Sequence, residues 1–229
     1  MKSKTLVMIP AYNEALNIKK TVEDVLKNAP GVDYIVINDG SKDNTKEVLE
    51  LNHFHYLDSI CNQGLFGAIQ LGFRYAKEKN YDIAIQFDGD GQHCAKYIND
   101  LVSKIEKGDN ITIGSRFVSE PKPITPRMLG SRLISFAIRL STKKTIMDPT
   151  SGFRAYDKQC INEYADSFNN PPEPDTLAYM ILKGRKVSEI QVQMKEREFG
   201  ESYLNLSSSI QYMSRMLISI LFIQHLREK

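Results

Sequence analysis

Cysteine is scarce in this chain and poorly placed for any joint role. There are three, Cys61, Cys94 and Cys160, odd in number and far apart. They offer no zinc-ligand spacing and no disulfide framework, which points to reduced thiols in a cytosolic setting. Long apolar runs are missing as well. The longest nearly apolar stretch, Met216 to Ile223, falls far short of the ~20 residues a membrane-spanning helix needs. Met1 to Thr5 is short and polar, and Leu6 to Ile9 is too brief for the apolar part of a secretory signal. The expectation is a chain that stays in the cytoplasm and does not cross a membrane by itself. No internal repeat and no low-complexity tract is present. A large net charge is also missing, the formal value being +2, and no nucleic-acid partner is expected.

What is present is the composition of a folded protein. Hydrophobic residues make up 41% and charged residues 25% of the 229, so disorder is excluded for most of the chain. That length suits one large domain. We expect it over residues 1–205, followed by a helical tail over 206–229. The charge is uneven. Residues 1–115 carry 13 basic and 16 acidic side chains, a net of −3, and residues 116–229 carry 17 and 12, a net of +5. Between Arg116 and Lys144 there are seven basic residues and one acid, Glu120. Such a stretch is either a solvated face or a surface for phosphate groups or an anionic membrane.

The first half alternates short apolar runs with helical patterns. Strands are expected at Thr5 to Ile9, Tyr34 to Asn38, His53 to Leu57, Tyr81 to Phe87 and Ile111 to Gly114. Helices are expected at Glu14 to Asn28, Asp43 to Leu51, Phe66 to Lys79 and Ala95 to Lys107. This alternation predicts an α/β fold, a Rossmann-like, mostly parallel sheet with helices on both faces. The second half is less regular. A proline-marked loop at Pro121, Pro123 and Pro126 precedes a helix at Leu129 to Leu140. Thr150 to Tyr156 reads as a turn and then extended chain, Asp175 to Lys183 as a helix and Val187 to Met194 as a strand. Leu206 to Leu226 reads as one long amphipathic helix, with Ile210, Met213, Leu217, Ile220 and Leu221 on one stripe.

In such sheets ligands bind at the carboxyl ends of the strands, and there the polar residues gather. Asp88-Gly-Asp90-Gly-Gln92-His93 follows an apolar strand. Two carboxylates at that spacing can both reach one hard cation, Mg2+ or Mn2+, with Gln92 and diphosphate oxygens completing its shell. The competing reading is an Asp-Gly turn. An EF-hand is excluded, because no Glu stands at the twelfth position. Asp39, at the end of the second strand, can accept from a ribose or a base, or the segment can simply cap a helix through Ser41 or Asp43. Tyr12 can stack on a base, and Glu14 can bind a ribose hydroxyl or cap the following helix.

Taken together these elements resemble the family 2 inverting glycosyltransferases that include dolichol-phosphate mannosyltransferase and bacterial polyprenyl-phosphate hexosyltransferases. The resemblance rests on Ile9-Pro-Ala-Tyr-Asn-Glu14, Val36-Ile-Asn-Asp-Gly-Ser41, Asn62-Gln-Gly64, Phe87-Asp-Gly-Asp-Gly-Gln-His93, Gly114-Ser-Arg-Phe117, Thr150-Ser-Gly-Phe-Arg154 and Arg197-Glu-Phe-Gly-Glu-Ser202, in that order. It implies the GT-A fold and inverting transfer from a nucleotide diphosphate-sugar. It implies that Pro10, Tyr12, Glu14 and Asp39 hold the nucleoside, and that Asp88, Asp90 and Gln92 hold metal and diphosphate. Arg116 would meet the acceptor phosphate or the developing charge, and Arg197 and Ser202 would belong to a loop over the donor. Two positions depart from the family pattern. Phe66 replaces a frequent glycine, and Ser131 stands where relatives carry an arginine four residues before Ser135, with Arg132 or Arg127 as substitutes.

A polyprenyl phosphate acceptor needs no general base, because a monophosphate is largely dianionic at neutral pH. It needs cations instead. A glycan hydroxyl acceptor would need a carboxylate base, with Asp148 and Asp175 as the candidates. The tail either packs on its own domain or serves as an interfacial helix, a docking surface for a small membrane-protein partner or a homo-oligomer contact. The expected placement is the inner face of the membrane, held peripherally.

Overall fold

The computed structural model describes residues 3–166, 171–196 and 206–227; the side chains of 126, 127 and 206–210 are outside that description. Seven strands form one sheet: β1 (Thr5–Ala11), β2 (Asp33–Asn38), β3 (Tyr56–Asp58), β4 (Ile83–Gln86), β5 (Ile111–Ser115), β6 (Arg154–Asp157) and β7 (Val187–Gln191). Their order is β3-β2-β1-β4-β6-β5-β7. Every pairing is parallel except those of β6, which runs against both β4 and β5.

β1 is buried along its whole length, as a central strand covered on both faces must be. Its side chains alternate between two cores. Leu6 and Met8 join one, with α3 (Gly64–Glu78), α5 (Pro126–Thr142), α6 (Lys158–Asp166) and α7 (Pro174–Leu182). Val7 and Ile9 join the other, with α1 (Ile18–Asn28), α2 (Thr45–Leu51) and α4 (Ile98–Glu106). The period of two in the sequence thus becomes two packed layers around the sheet.

Some boundaries differ from the sequence expectation for local reasons. The first helix starts at Ile18 rather than Glu14, because the carbonyl of Glu14 is taken by the N–H groups of Asn17 and Ile18. Pro126 opens α5 instead of belonging to the preceding loop. It sits in the first turn, where no N–H is needed, and the Thr125 hydroxyl accepts the Met128 N–H at 3.3 Å. α6 was not read from the sequence. It follows β6 without a glycine or proline break, its start marked by the Asp157 carboxylate accepting the Cys160 N–H at 2.8 Å.

The tail is not one regular helix. α8 (Leu206–Ile218) passes into a π-helical turn, Ser219–Ile223, and a last turn, Gln224–Leu226. The change is bound to buried polar groups. Asp175, at the start of α7, accepts from the Ser219 hydroxyl at 2.7 Å and the Gln224 amide at 3.3 Å. Met216 and Ile220 of this segment are buried in the core. No described helix is long and apolar enough to cross a membrane.

The six mutually parallel strands send their carboxyl ends to one edge. The strand order reverses between β1 and β4: the chain runs outward from β1 to β2 and β3, then returns through α3 to β4 on the other side of β1, so the loops after β1 and β4 lie side by side at the switch point, where such sheets have their ligand crevice. Because β6 is antiparallel, it begins at this same edge, so the loop 148–153 arrives where β4 and β5 end.

Candidate active site

The crevice is walled first by the loops after β1 and β2, which are tied to each other. Asn13 is held at φ 56°, in the left-handed region. Its N–H donates to the Ser41 hydroxyl at 3.0 Å, and its side-chain oxygen accepts the Lys42 N–H at 2.8 Å. The N–H of Glu14 donates to the Thr45 hydroxyl at 2.9 Å. The Glu14 carboxylate is buried and accepts from the Asn17 amide at 2.7 Å, so part of its capacity serves the turn into α1. Asp39 is buried, and its carboxylate accepts the Gln63 N–H at 2.9 Å, which joins the β2 end to the start of α3. Gly40 has φ 65°, and a Cβ there would lie 2.7 Å from the Asn62 nitrogen, so glycine is required. Pro10 is buried in β1, and Tyr12, just beyond the strand, is half-buried. Phe66 lies in the first turn of α3, half-buried.

Asp88, Asp90 and Gln92, in the loop after β4, are each half-buried. The Gln92 N–H donates to the Asp90 carboxylate at 3.1 Å, and the Gln92 main chain accepts the Lys195 N–H at 2.8 Å. Gly89 packs on β1: its N–H donates to the Pro10 carbonyl at 3.2 Å, and a Cβ would meet that oxygen at 2.7 Å. Asp88 is set by a buried histidine, His93, to which the sequence motif alone assigns no role. The Asp88 N–H donates to Nδ1 of His93 at 3.0 Å. With Nδ1 accepting, the neutral ring carries its proton on Nε2, which lies 3.6 Å from the Asp88 carboxylate. The ring itself is stacked on Phe153, centroids 4.9 Å apart, and meets Phe87 edge-on. Gly152 covers the Asp88 carboxylate from the other side, and a Cβ there would sit 2.8 Å from Oδ2.

The third part of the edge is cationic. Arg116, just past β5, grips Asp148 through Nε at 2.8 Å and Nη2 at 2.9 Å, and its N–H donates to the same carboxylate at 3.2 Å. Asp148 is fully buried, and its N–H and that of Met147 both donate to Glu189 on β7. Lys122 is the residue that sequence reasoning missed here. Its ammonium donates to the hydroxyls of Ser131 at 3.0 Å and Ser135 at 3.2 Å. Ser131 has therefore not left a gap in the cationic edge, because Lys122 reaches into its place. Arg132 stays beside Lys122 and donates to its main-chain carbonyl at 2.7 Å. The Arg116 and Lys122 cations lie 5.0 and 5.4 Å from the Phe117 ring centre. Burial pulls the Lys122 ammonium below the ordinary lysine pKa, opposed by the negative charges of Asp148 and Glu189. Lys122 makes no ion pair within 4.0 Å among the described residues.

The loop 148–153 is itself held by Arg154, which is 2% exposed and donates to the carbonyls of Ser151, Pro149 and Pro172. The candidate bases are thus both engaged. Asp148 is the partner of Arg116, and Asp175 secures the tail and the Thr176 N–H. Arg197 and Ser202 lie outside the described residues, as does the side chain of Arg127.

Among the described residues no three His, Cys, Asp or Glu side chains converge as a closed metal cage. Two carboxylates and an amide oxygen suit a hard cation that keeps positions for phosphate oxygens and water. Asp88 and Asp90 are both half-buried rather than sealed in the core, which is consistent with that use.

Known proteins agree with this architecture. Polyprenol monophosphomannose synthase of Mycolicibacterium smegmatis is 28% identical over 90% of this chain and 82% of its own length. UDP-N-acetylglucosamine–dolichyl-phosphate N-acetylglucosaminyltransferase of Methanococcus voltae is 30% identical over 82% of this chain and 84% of its own. Among solved structures, glucosyl-3-phosphoglycerate synthase of Mycobacterium tuberculosis, at 16% identity, superposes with a TM-score of 0.69 over 99% of this chain and 81% of that one. A structure of that enzyme with Mn2+, uridine diphosphate and phosphoglyceric acid superposes at 0.67. The fold is GT-A. The model of glycosyl transferase family 2 matches residues 6–165, from the first strand through α6. That span takes in the crevice, both carboxylates of the β4 loop and the Arg116 edge, and by it this chain belongs to glycosyl transferase family 2.

Proposed function

We propose that this chain moves a hexose or N-acetylhexosamine from a nucleotide diphosphate-sugar, a UDP-sugar by preference and GDP-mannose otherwise, to a polyprenyl phosphate at the inner membrane face. The observation that carries the reading is the pairing of two sites along one edge. The Asp88–Asp90 loop and the Arg116–Lys122 cluster meet across Gly152 and Asp148. A carboxylate pair that can hold a divalent cation suits the leaving diphosphate, and a cluster of cations whose neighbouring described carboxylate, Asp148, is already bound to Arg116 suits an acceptor that is itself an anion.

In this reading Pro10, Tyr12, Glu14 and Asp39 hold the nucleoside, and Asp88, Asp90 and Gln92 hold the diphosphate together with Mg2+ or Mn2+. A divalent cation bound there supplies Lewis-acid neutralisation of the charge left on the diphosphate. Arg116, Lys122 and Arg132 hold the acceptor phosphate. Arg197 and Ser202 are assigned to the donor side by the family resemblance alone. The acceptor phosphate oxygen forms the new bond to the anomeric carbon. The bond from that carbon to the diphosphate oxygen breaks, and the diphosphate leaves with the electron pair. No proton has to move, because a phosphate monoester with a second pKa of about 6 is largely dianionic at neutral pH. His93 and Gly152 act by keeping Asp88 in place. Attack from the face opposite the leaving group inverts the anomeric centre.

The test is a donor screen with the full chain, undecaprenyl phosphate in detergent, Mg2+ or Mn2+ and each labelled nucleotide-sugar in turn. Label entering the organic phase from one donor, and absent with Asp90→Asn, is the expected result. Donor binding with no lipid-linked label from any sugar would overturn the acceptor assignment.

A further inference from the structure

α5 carries an apolar stripe that stands exposed among the described residues. Its inner face is used up: Met128, Ile134, Ala137 and Ile138 are buried. On the outside, Leu129, Leu133, Phe136 and Leu140 are all exposed, Phe136 at 64%. At about 100° per residue these four fall within roughly 60° of one another. A single exposed leucine needs no explanation, whereas four on one line do. Ile124, in the loop leading into α5, is 94% exposed and extends the apolar surface past the helix start. α8 and the turns after it lie alongside α5. Gly130 faces Met213, and the Ser141 hydroxyl is 2.8 Å from the His225 ring. That neighbour leaves Phe222 and Leu226 exposed as well.

The charges beside the stripe identify what covers it. Arg132 and Arg139 each precede a stripe residue and lie, going round the helix, between the stripe and the Ser131–Ser135 flank that holds Lys122. Lys143 is exposed at the end of α5, and Glu120 is the single acid from residue 116 to residue 144. An apolar line with a cationic border fits an anionic bilayer surface, with side chains in the acyl boundary and cations at the headgroups.

We propose that the outer face of α5, with Ile124 at its leading end, is the surface by which this protein lies on an anionic membrane. Resting on the function proposed above, this gives α5 two roles from two flanks. One flank holds Lys122 at the acceptor site, and the other meets the bilayer in which a lipid phosphate is embedded. The site is thereby brought to headgroup height.

Vesicles of phosphatidylglycerol and phosphatidylcholine, and of phosphatidylcholine alone, are sedimented with the full chain and with Phe136→Glu, Leu133→Glu and the pair Arg139→Gln with Lys143→Gln. All these residues are exposed and outside the reaction site, so circular dichroism and donor binding serve as folding controls. The wild type is expected to sediment with the anionic vesicles and to be released by salt. Each Glu variant should fall at least about tenfold in bound fraction, and the cation pair by about fivefold per charge removed. Transfer to a short-chain, water-soluble polyprenyl phosphate should be unchanged in these variants, while transfer to long-chain acceptor in vesicles falls. Unaltered sedimentation of Phe136→Glu, or a wild type that ignores vesicles and forms a dimer lost on Phe136→Glu, would overturn the proposal. Intact vesicle binding without transfer to any lipid phosphate would instead overturn the acceptor assignment and leave the docking surface standing.

Discussion

The loops after β1 and β2 are held largely by neutral groups and by single carboxylates that accept neutral N–H groups, and the region around β5, β6 and β7 by buried charges that pair with one another. In the first region hydroxyls and amides of Asn13, Ser41 and Thr45 pair with main-chain groups of the adjacent loop. Each such bond contributes about 1 kcal/mol, and each can fail alone. In the second, Asp148 is fully buried and shared between Arg116 and Thr150, its loop is suspended from Glu189, and Arg154 holds three carbonyls at once. Removing one member there leaves an uncompensated charge, so the cluster fails as a unit. A site for an uncharged nucleoside can be framed by small dipoles. A site for a phosphate dianion needs fixed cations, and the cations need buried anions to fix them.

Five changes would break or sharpen this contrast. Asp90→Asn should cost the most, about 10²–10³ in transfer rate, because it removes charge where the leaving diphosphate forms. Its urea midpoint should match the wild type, since Asp90 lies half-open in a loop; transfer within tenfold of wild type would remove Asp90 from the chemistry. Asp148→Asn should act on the fold as well, with a loss of about 3 kcal/mol in urea unfolding and a raised acceptor KM as Arg116 loses its anchor. An unchanged midpoint would show that the charge is not structural.

Gly152→Ala tests the junction between the two regions. The added Cβ would press on Asp88, with about 1–2 kcal/mol of strain expected in urea unfolding. Transfer should drop about tenfold, equivalent to about 1.4 kcal/mol on the barrier, with more divalent cation needed for half-maximal rate. Asn13→Ala should cost only about 1 kcal/mol, from a lost hydrogen bond and a residue less suited to φ 56°. A loss above about 3 kcal/mol would contradict the view of independent neutral ties.

The smallest effect is a shift in a pH profile. Burial lowers the Lys122 pKa from its usual 10.5, so Lys122 loses its proton earlier than a free lysine as pH rises. Acceptor affinity should therefore weaken on the alkaline side, beginning below pH 10.5, while donor KM stays level. Folding responds in the opposite sense. The native state binds the Lys122 proton less well than the unfolded chain, so this group's contribution to stability rises with pH between the two pKa values. Lys122→Arg should keep acceptor binding to higher pH. An identical alkaline limb in both proteins would show that another group titrates.

Most of the first half was legible in the sequence, and the reason is local. Each parallel strand is an apolar run followed at once by a polar loop, so Asp39, Asp88 and Asp90 stand out as candidates by position. The second half was less so. The pattern showed turn and extended chain at Thr150 to Tyr156 but not that β6 reverses between β4 and β5. That reversal brings Gly152 onto Asp88 and Asp148 onto Arg116. The roles of Lys122 and His93 were hidden for the same reason. A lysine in a proline-marked loop looks solvated until two serines of a helix are placed beneath it.

Local patterns of residues suffice for the alternation of strands and helices, the edge on which the polar loops collect and the family to which they belong, because periodicity and short motifs act over a few residues. Three-dimensional packing establishes which charges neighbour which, that Asp148 and Asp175 are bound rather than available, that the tail passes through a π turn at Asp175, and that one face of α5 stands exposed among the described residues. Those outcomes depend on side chains tens of residues apart competing for the same buried space, and one strand direction settles that competition.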